Sequence, residues 1–190
     1  PKGVQIQHGS VANYVIGAAR QFEVTEKDRV LQFASISFDA AVEEIFVCLT
    51  RGATLVLRTD AMLVSAASFL DACRDQRITV LDLPTAYWHE LTKQIASESL
   101  DLPEALRLVI IGGERALPER LRTWRQSAPS DVRLVNTYGP TEATVVATTW
   151  EHVRQPFQAD PPTCLQTQMD ETGQPGKADV QEVPIGRPVA

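Results

Sequence analysis

Leu106-Arg107-Leu108-Val109-Ile110-Ile111-Gly112-Gly113-Glu114 decides the fold. It is a nearly continuous apolar run that stops abruptly on two glycines and an acid. A strand with no polar alternation is one buried on both faces, as in a parallel sheet sandwiched between helices. A helix pattern follows from Pro118 to about Gln126. The same unit recurs on either side. Strands are expected at 29–36, 53–57, 78–83, 133–135 and 145–149, and helices at 11–22 (capped by Ser10), 37–50 (ending at Gly52), 65–75 and 84–97. Strands alternating with helices of this length predict an α/β fold: a parallel, flavodoxin-like sheet flanked by helices.

In such sheets, ligands gather at the carboxyl ends of the strands. Asp39, Asp82, Gly112–Glu114 and Asn136-Thr137-Tyr138-Gly139-Pro140-Thr141-Glu142 all fall there. The last stretch combines an amide, an aromatic ring, a tight turn, a hydroxyl and a carboxylate. That inventory suits a nucleotide and its metal. The plain alternative is a strand followed by an Asn/Gly/Pro turn.

The 190 residues have ordinary globular composition, with 44% hydrophobic and 22% charged residues. The formal net charge is -6, and there is no basic stripe, so nucleic acid is not the expected partner. No apolar run reaches the ~18 residues of a membrane span. Cys48, Cys73 and Cys164 form no metal-ligand spacing, and Cys48 and Cys73 sit in helical apolar patterns as core thiols; a reducing cytoplasm fits. Residues 154–182 lack periodicity and read as an irregular surface excursion. Pro1-Lys2-Gly3-Val4 reads as the tail of a longer motif, so a fragment of a larger protein is expected.

Several segments resemble one family in order. Pro1-Lys2-Gly3-Val4 resembles the end of the phosphate loop of adenylate-forming enzymes. Phe38-Asp39-Ala40-Ala41-Val42 resembles the segment holding an amino acid's ammonium, Gly112-Gly113-Glu114 the adenine platform, and 136–142 the ATP-binding motif. Ile185-Gly186-Arg187-Pro188 resembles the approach to the next motif. Together they are similar to the adenylation domains of nonribosomal peptide synthetases, and residues 1–190 then form part of that domain's large lobe.

The resemblance implies activation of a carboxylic acid with ATP and Mg²⁺, then transfer to the phosphopantetheine thiol of a carrier domain. Carrier and condensation domains are the implied partners. Asn136 and Tyr138 would hold adenine, with Gly112, Gly113, Glu114 and Gly139 shaping its cradle. Thr141 would meet the α-phosphate, and Glu142 the metal. The implied substrate pocket is Asp39, Ala40, Glu43, Asp82, Ile110, Gly112, Thr137, Val145 and Val146. Asp39 would pair with the α-ammonium; its plainer role is a helix cap. Glu43 follows Asp39 by four residues, which puts both on one helix face.

Acids at 39, 43 and 82 converging on one hollow need a compensating cation. Apolar sleeves at Ile110, Val145 and Val146 suit a methylene stem. A basic amino acid is expected, lysine first and ornithine second. An acyl- or aryl-CoA ligase of the same superfamily and a non-catalytic nucleotide-binding module are the alternatives. The isolated fragment, lacking the rest of the domain, is expected not to make adenylate.

Overall fold

The computed structural model describes residues 3–152 and 187–188; the 154–182 stretch lies outside the described residues. The chain runs α1 (His8–Gln21), β1 (Arg29–Gln32), α2 (Ala40–Val42), a π-helical turn (Glu43–Val47), α3 (Cys48–Thr50) and β2 (Thr54–Leu57). It continues through a 3-10 turn (Asp60–Leu63), α4 (Ala66–Asp75), β3 (Val80–Pro84), α5 (Thr85–Glu98), β4 (Leu108–Gly112) and α6 (Pro118–Ser127). It closes with β5 (Arg133–Tyr138), a 3-10 turn (Thr141–Ala143), β6 (Thr148–His152) and β7 (Arg187–Pro188).

The strand order is β2-β1-β3-β4-β5-β6-β7. The first five strands are parallel, in the flavodoxin-like order 2-1-3-4-5. β6 and β7 then add antiparallel, so the sheet is mixed rather than wholly parallel. The short turn after β5 is the physical reason: a parallel neighbour needs a crossover of a dozen residues or more, and only nine separate Tyr138 from Thr148.

Each strand feeds two cores. Leu81, Leu83, Val109, Ile111 and Leu134 pack with α4, α5 and α6 on one face, around Phe69, Trp88 and Trp124. Val80, Leu108, Ile110 and Val135 pack with α1, Val47 and Cys48 on the other. Both Cys48 and Cys73 are fully buried core residues.

Element ends depart from the sequence reading in several places, most of all at β1, which was expected to reach residue 36 and stops at Gln32. Gln7, not Ser10, precedes the first helical residue, and its carbonyl accepts from the Ser10 and Val11 N–H groups. Helical conformation starts at Ala40 rather than Ser37, and the expected strand at 145–149 begins at Thr148. Ser65 caps α4 by accepting from the Ser68 N–H at 3.0 Å, and Gly52 closes the 40–50 helical run at φ +72°.

Opposite the ligand edge, Asp28 ties three elements together. Its carboxylate accepts from Arg107 Nε and a second guanidinium N–H, both at 2.8 Å, from the Thr79 hydroxyl at 2.7 Å and from the Thr25 N–H at 2.9 Å. Burial opposes ionisation, but the Arg107 guanidinium and these donors together hold the carboxyl at about 2, below the usual 3.8. An acid with a depressed folded pKa contributes stability that is complete above the unfolded value and lost as pH falls toward the folded one. Wild type should therefore lose about 2 kcal/mol between pH 5 and pH 2 through this residue. Equilibrium urea unfolding of wild type and Asp28→Asn should show the gap between them closing over that range; parallel pH profiles would contradict the assignment.

Candidate functional site

The site is built by alternation along three neighbouring strands. Asp82 pairs with Ile110, and Ile110 with Val135, across the sheet. Side chains two apart share a face. Val80, Asp82, Leu108, Ile110, Gly112, Val135 and Thr137 therefore share the face covered by α1 and the 43–47 turn. Asn136 and Tyr138 take the opposite parity. Of the expected pocket residues, Glu43, Asp82, Ile110, Gly112, Thr137, Val145 and Val146 come to this one face.

Glu43 is 3% exposed, and its Oε2 has no hydrogen-bond partner among the described residues. It lies against the half-buried carboxyl of Asp82, so only a shared proton or a cation satisfies the pair. Burial, with the Glu44 charge adding to it, pushes Glu43 up to about 7. Burial and the Glu43 charge raise Asp82 well above the usual carboxylate range. Among the described residues no cationic side chain pairs with either.

Asp39 is half-buried at the entry to α2 and makes no capping bond, so the capping alternative is not realised. Its carboxylate forms no hydrogen bond to Glu43 or Asp82; the close pair is 43 with 82. Ala40 is half-buried beside it.

Sequence reasoning missed Glu44. It is 2% exposed and accepts from the Phe33 N–H at 2.9 Å, the Ala34 N–H at 3.0 Å and the Gln32 amide at 3.0 Å. Burial and the negative field of Asp82 push its carboxyl up, against the pull of those donors. Two adjacent acids in a helix ordinarily signal a solvated face, and only the tertiary contacts reverse that.

The nucleotide-like motif forms the end of β5 and the turn beyond it. Asn136 is buried, while Tyr138 keeps 53% of its surface exposed and so leaves its ring available for stacking. Thr137 is buried and donates to the Ile111 carbonyl at 3.0 Å. A Cβ on Gly112 would fall 2.4 Å from Thr137 Oγ1. Gly113 has φ +85° with open space beside its Cα, and Glu114 is exposed.

Gly139 is enclosed by backbone: a Cβ there would meet the Val145 carbonyl at 2.5 Å and Val146 Cα at 2.7 Å. This crowding arises because the chain doubles back through a γ-turn. Val146 N–H donates to the Thr144 carbonyl at 2.9 Å, with Val145 between them at φ +67°. A β-branched residue there is strained. The turn delivers Val145 and Val146, both buried, to the pocket face. Thr141 is half-buried and Glu142 exposed on the 3-10 turn.

A family model described as "AMP-binding enzyme" matches residues 1–186. The chain belongs to the AMP-binding enzyme family. An isonitrile lipopeptide synthase of Streptomyces coeruleorubidus is 56% identical over 148 residues, covering 78% of this chain and 10% of that protein. Tyrocidine synthase 1 of Brevibacillus parabrevis is 30% identical over 189 residues, covering 100% and 14%. A solved nonribosomal peptide synthetase, FmoA3, superposes with a TM-score of 0.74 at 28% identity, over 100% of this chain and 18% of that one. The chain thus spans a small part of each relative. These matches bear out the resemblance to synthetase adenylation domains and the fold drawn from it.

The glycine geometry at these strand ends carries a direct test. Gly112→Ala should destabilise by about 1–3 kcal/mol through overpacking. Adding Thr137→Ala should recover most of that, because the clash is with a side-chain oxygen. Gly139→Ala meets backbone atoms instead, so Thr137→Ala should not help it. Thermal midpoints of the four variants decide the matter.

Proposed function

We propose that residues 1–190 are the recognition part of an amino-acid-adenylating domain whose substrate carries a second positive charge, lysine first and ornithine second. One observation carries the substrate reading: Glu43 and Asp82 are pressed together on the pocket face with no cationic side chain beside them among the described residues. Burying two unpaired acids is costly, and a ligand ammonium is the group that would relieve it. The apolar walls of Ile110, Val145 and Val146 suit a methylene stem; Gly112 gives its room to the Thr137 hydroxyl rather than to depth. Asp39, free of any capping duty, would take the α-ammonium.

ATP would lie across the strand ends. Tyr138 would stack on adenine, Asn136 would read its amino group, and Gly112, Gly113, Glu114 and Gly139 would shape the cradle. The half-buried Thr141 hydroxyl would donate to the α-phosphate. Glu142, a single accessible carboxylate beside that phosphate position, fits Mg²⁺, which takes one or two carboxylates together with substrate phosphates. Bound there, the metal supplies charge neutralisation at the attacked phosphate and the departing pyrophosphate. The chain's own part is to hold the amino-acid carboxylate in line with that phosphorus.

The acyl group would then pass to the phosphopantetheine thiol of a carrier domain, with a condensation domain as a further partner in the same synthetase. No helix among the described residues is long and apolar enough to cross a membrane, and the two buried free thiols accord with a cytoplasmic setting.

Pyrophosphate exchange by the intact adenylation domain should favour lysine over leucine and phenylalanine, and Glu43→Gln should erode that preference. Because burial and mutual repulsion raise the carboxyls of the 43–82 pair, preference for lysine over its neutral isostere norleucine should rise from pH 6 to pH 8. The same substitution should raise the thermal midpoint of the empty protein above neutral pH, since an acid with a raised folded pKa subtracts stability as pH rises. A leucine-preferring wild type would end the substrate reading.

Separately, Glu142→Ala should weaken Mg²⁺-dependent ATP binding, read by calorimetry. Equal affinities with and without the metal in both proteins would remove Glu142 from the metal role.

A further inference from the structure

Beyond Gln32 the ladder of β1 ends, and the Phe33 and Ala34 N–H groups have no strand to donate to. The Glu44 carboxylate takes both. Oε1 accepts from Phe33 at 2.9 Å and Ala34 at 3.0 Å, while Oε2 accepts from Gln32 Nε2 at 3.0 Å and again from Ala34 at 3.2 Å. Every contact of this carboxyl is a donor from the β1 exit, and both oxygens are spent. Glu44 therefore has no capacity left for a ligand.

Glu43, one residue earlier, has the opposite arrangement. It is equally buried, its Oε2 has no partner among the described residues, and it faces Asp82. Successive residues of an α-helix point roughly 100° apart. The π-helical turn Glu43–Val47 closes i→i+5, fits an extra residue into the turn and narrows that divergence. The exchange of an α for a π turn falls where two adjacent acids must both be swallowed, one toward β1 and one toward β3.

We propose that Glu44 is the positioning residue of the pocket: by clamping the π-turn to the exit of β1 it sets the rotation that delivers Glu43 to Asp82, and so governs selection of a substrate side chain ending in a primary ammonium. This rests on the reading that the 43–82 pair receives that cation. Glu44 touches no substrate; it acts through Glu43. The conservative Glu44→Gln places an amide N–H₂ against backbone N–H or Gln32 donors, which breaks the clamp at nearly constant volume.

The test is a double-mutant cycle in the intact adenylation domain. KM and kcat for lysine and for norleucine are measured by pyrophosphate exchange in wild type, Glu43→Gln, Glu44→Gln and the double variant. Glu44→Gln should lower the lysine-to-norleucine ratio of kcat/KM by about tenfold, mainly through the KM for lysine. In the Glu43→Gln background it should lower that ratio no further, because the residue it acts through has lost its charge. If Glu44→Gln fails to fold, Gln32→Leu removes the side-chain donor to Glu44, together with its bond to the Ala34 carbonyl, leaves both backbone donors in place, and should produce a smaller drop in the same ratio, again absent beside Glu43→Gln. Equal losses for both substrates, or effects that add in the cycle, overturn the positioning role alone. A wild type that does not prefer lysine overturns the basic-substrate reading, and the positioning role with it.

Discussion

A parallel strand can show each side chain to only one of its two faces, and that constraint organises this molecule. Five parallel strands, with a core on each side, must be apolar at nearly every position. Where β3, β4 and β5 run out of core, the alternation continues into residues that need not be apolar. Asp82, Gly112 and Thr137 inherit the face of Val80, Ile110 and Val135. Asn136 and Tyr138 inherit the other. Thr137, expected in the substrate pocket, is thereby turned away from its two neighbours, expected on the nucleotide. One strand end thus sends neighbouring side chains to opposite faces without any loop being needed to do it.

The pocket face holds features that work against stability. Among the described residues two carboxyls are pressed together without a partner cation, and a valine sits at φ +67° in a γ-turn. Both are held by what packs against them. Glu43 is flanked by the clamp of Glu44 on β1, and the γ-turn is locked against Gly139, where no Cβ intervenes. Such concentrations of strain and desolvated charge are what a binding site requires when its ligand supplies the missing contact. At the opposite strand ends the acid is fully satisfied: Asp28 has five donor contacts, including an arginine, and its pKa moves down instead of up. The same residue type thus serves as a clasp at one end of the sheet and, at Asp82, lies against a second carboxyl at the other.

Much of this was legible beforehand. The run 106–111 announced a doubly covered strand, and Gly112 after it a crowded strand end, where Thr137 packs. The residue types of 136–142 suited a nucleotide but fitted a plain Asn/Gly/Pro turn as well, and the resemblance in the neighbouring segments favoured the first. Glu43 was readable, through its spacing from Asp39, as an acid turned to the interior, and the fold buries it. The antiparallel turn into β6 was not legible, because the apolar pattern of 145–149 fits a strand equally well whichever way it pairs. Nor was the γ-turn, since valine at positive φ contradicts local preference and survives only by tertiary enclosure. Glu44 was overlooked for a similar reason: nothing local distinguishes an acid that clamps orphaned amides from one that faces water.

The order of elements, the burial of the sheet and the chemical inventory at the strand ends followed from the sequence, because hydrophobic period and residue type are local properties that need no partner to be read. Which acids meet was decided by the fold. Asp39, Glu43 and Asp82 were expected together, yet the close pair is 43 with 82, and Glu44 turns toward β1. Electrostatic contact depends on the rotation of a helical turn against a strand more than 30 residues away. That rotation is set by a π-turn and two unpaired amides, and it exists only once the sheet has formed.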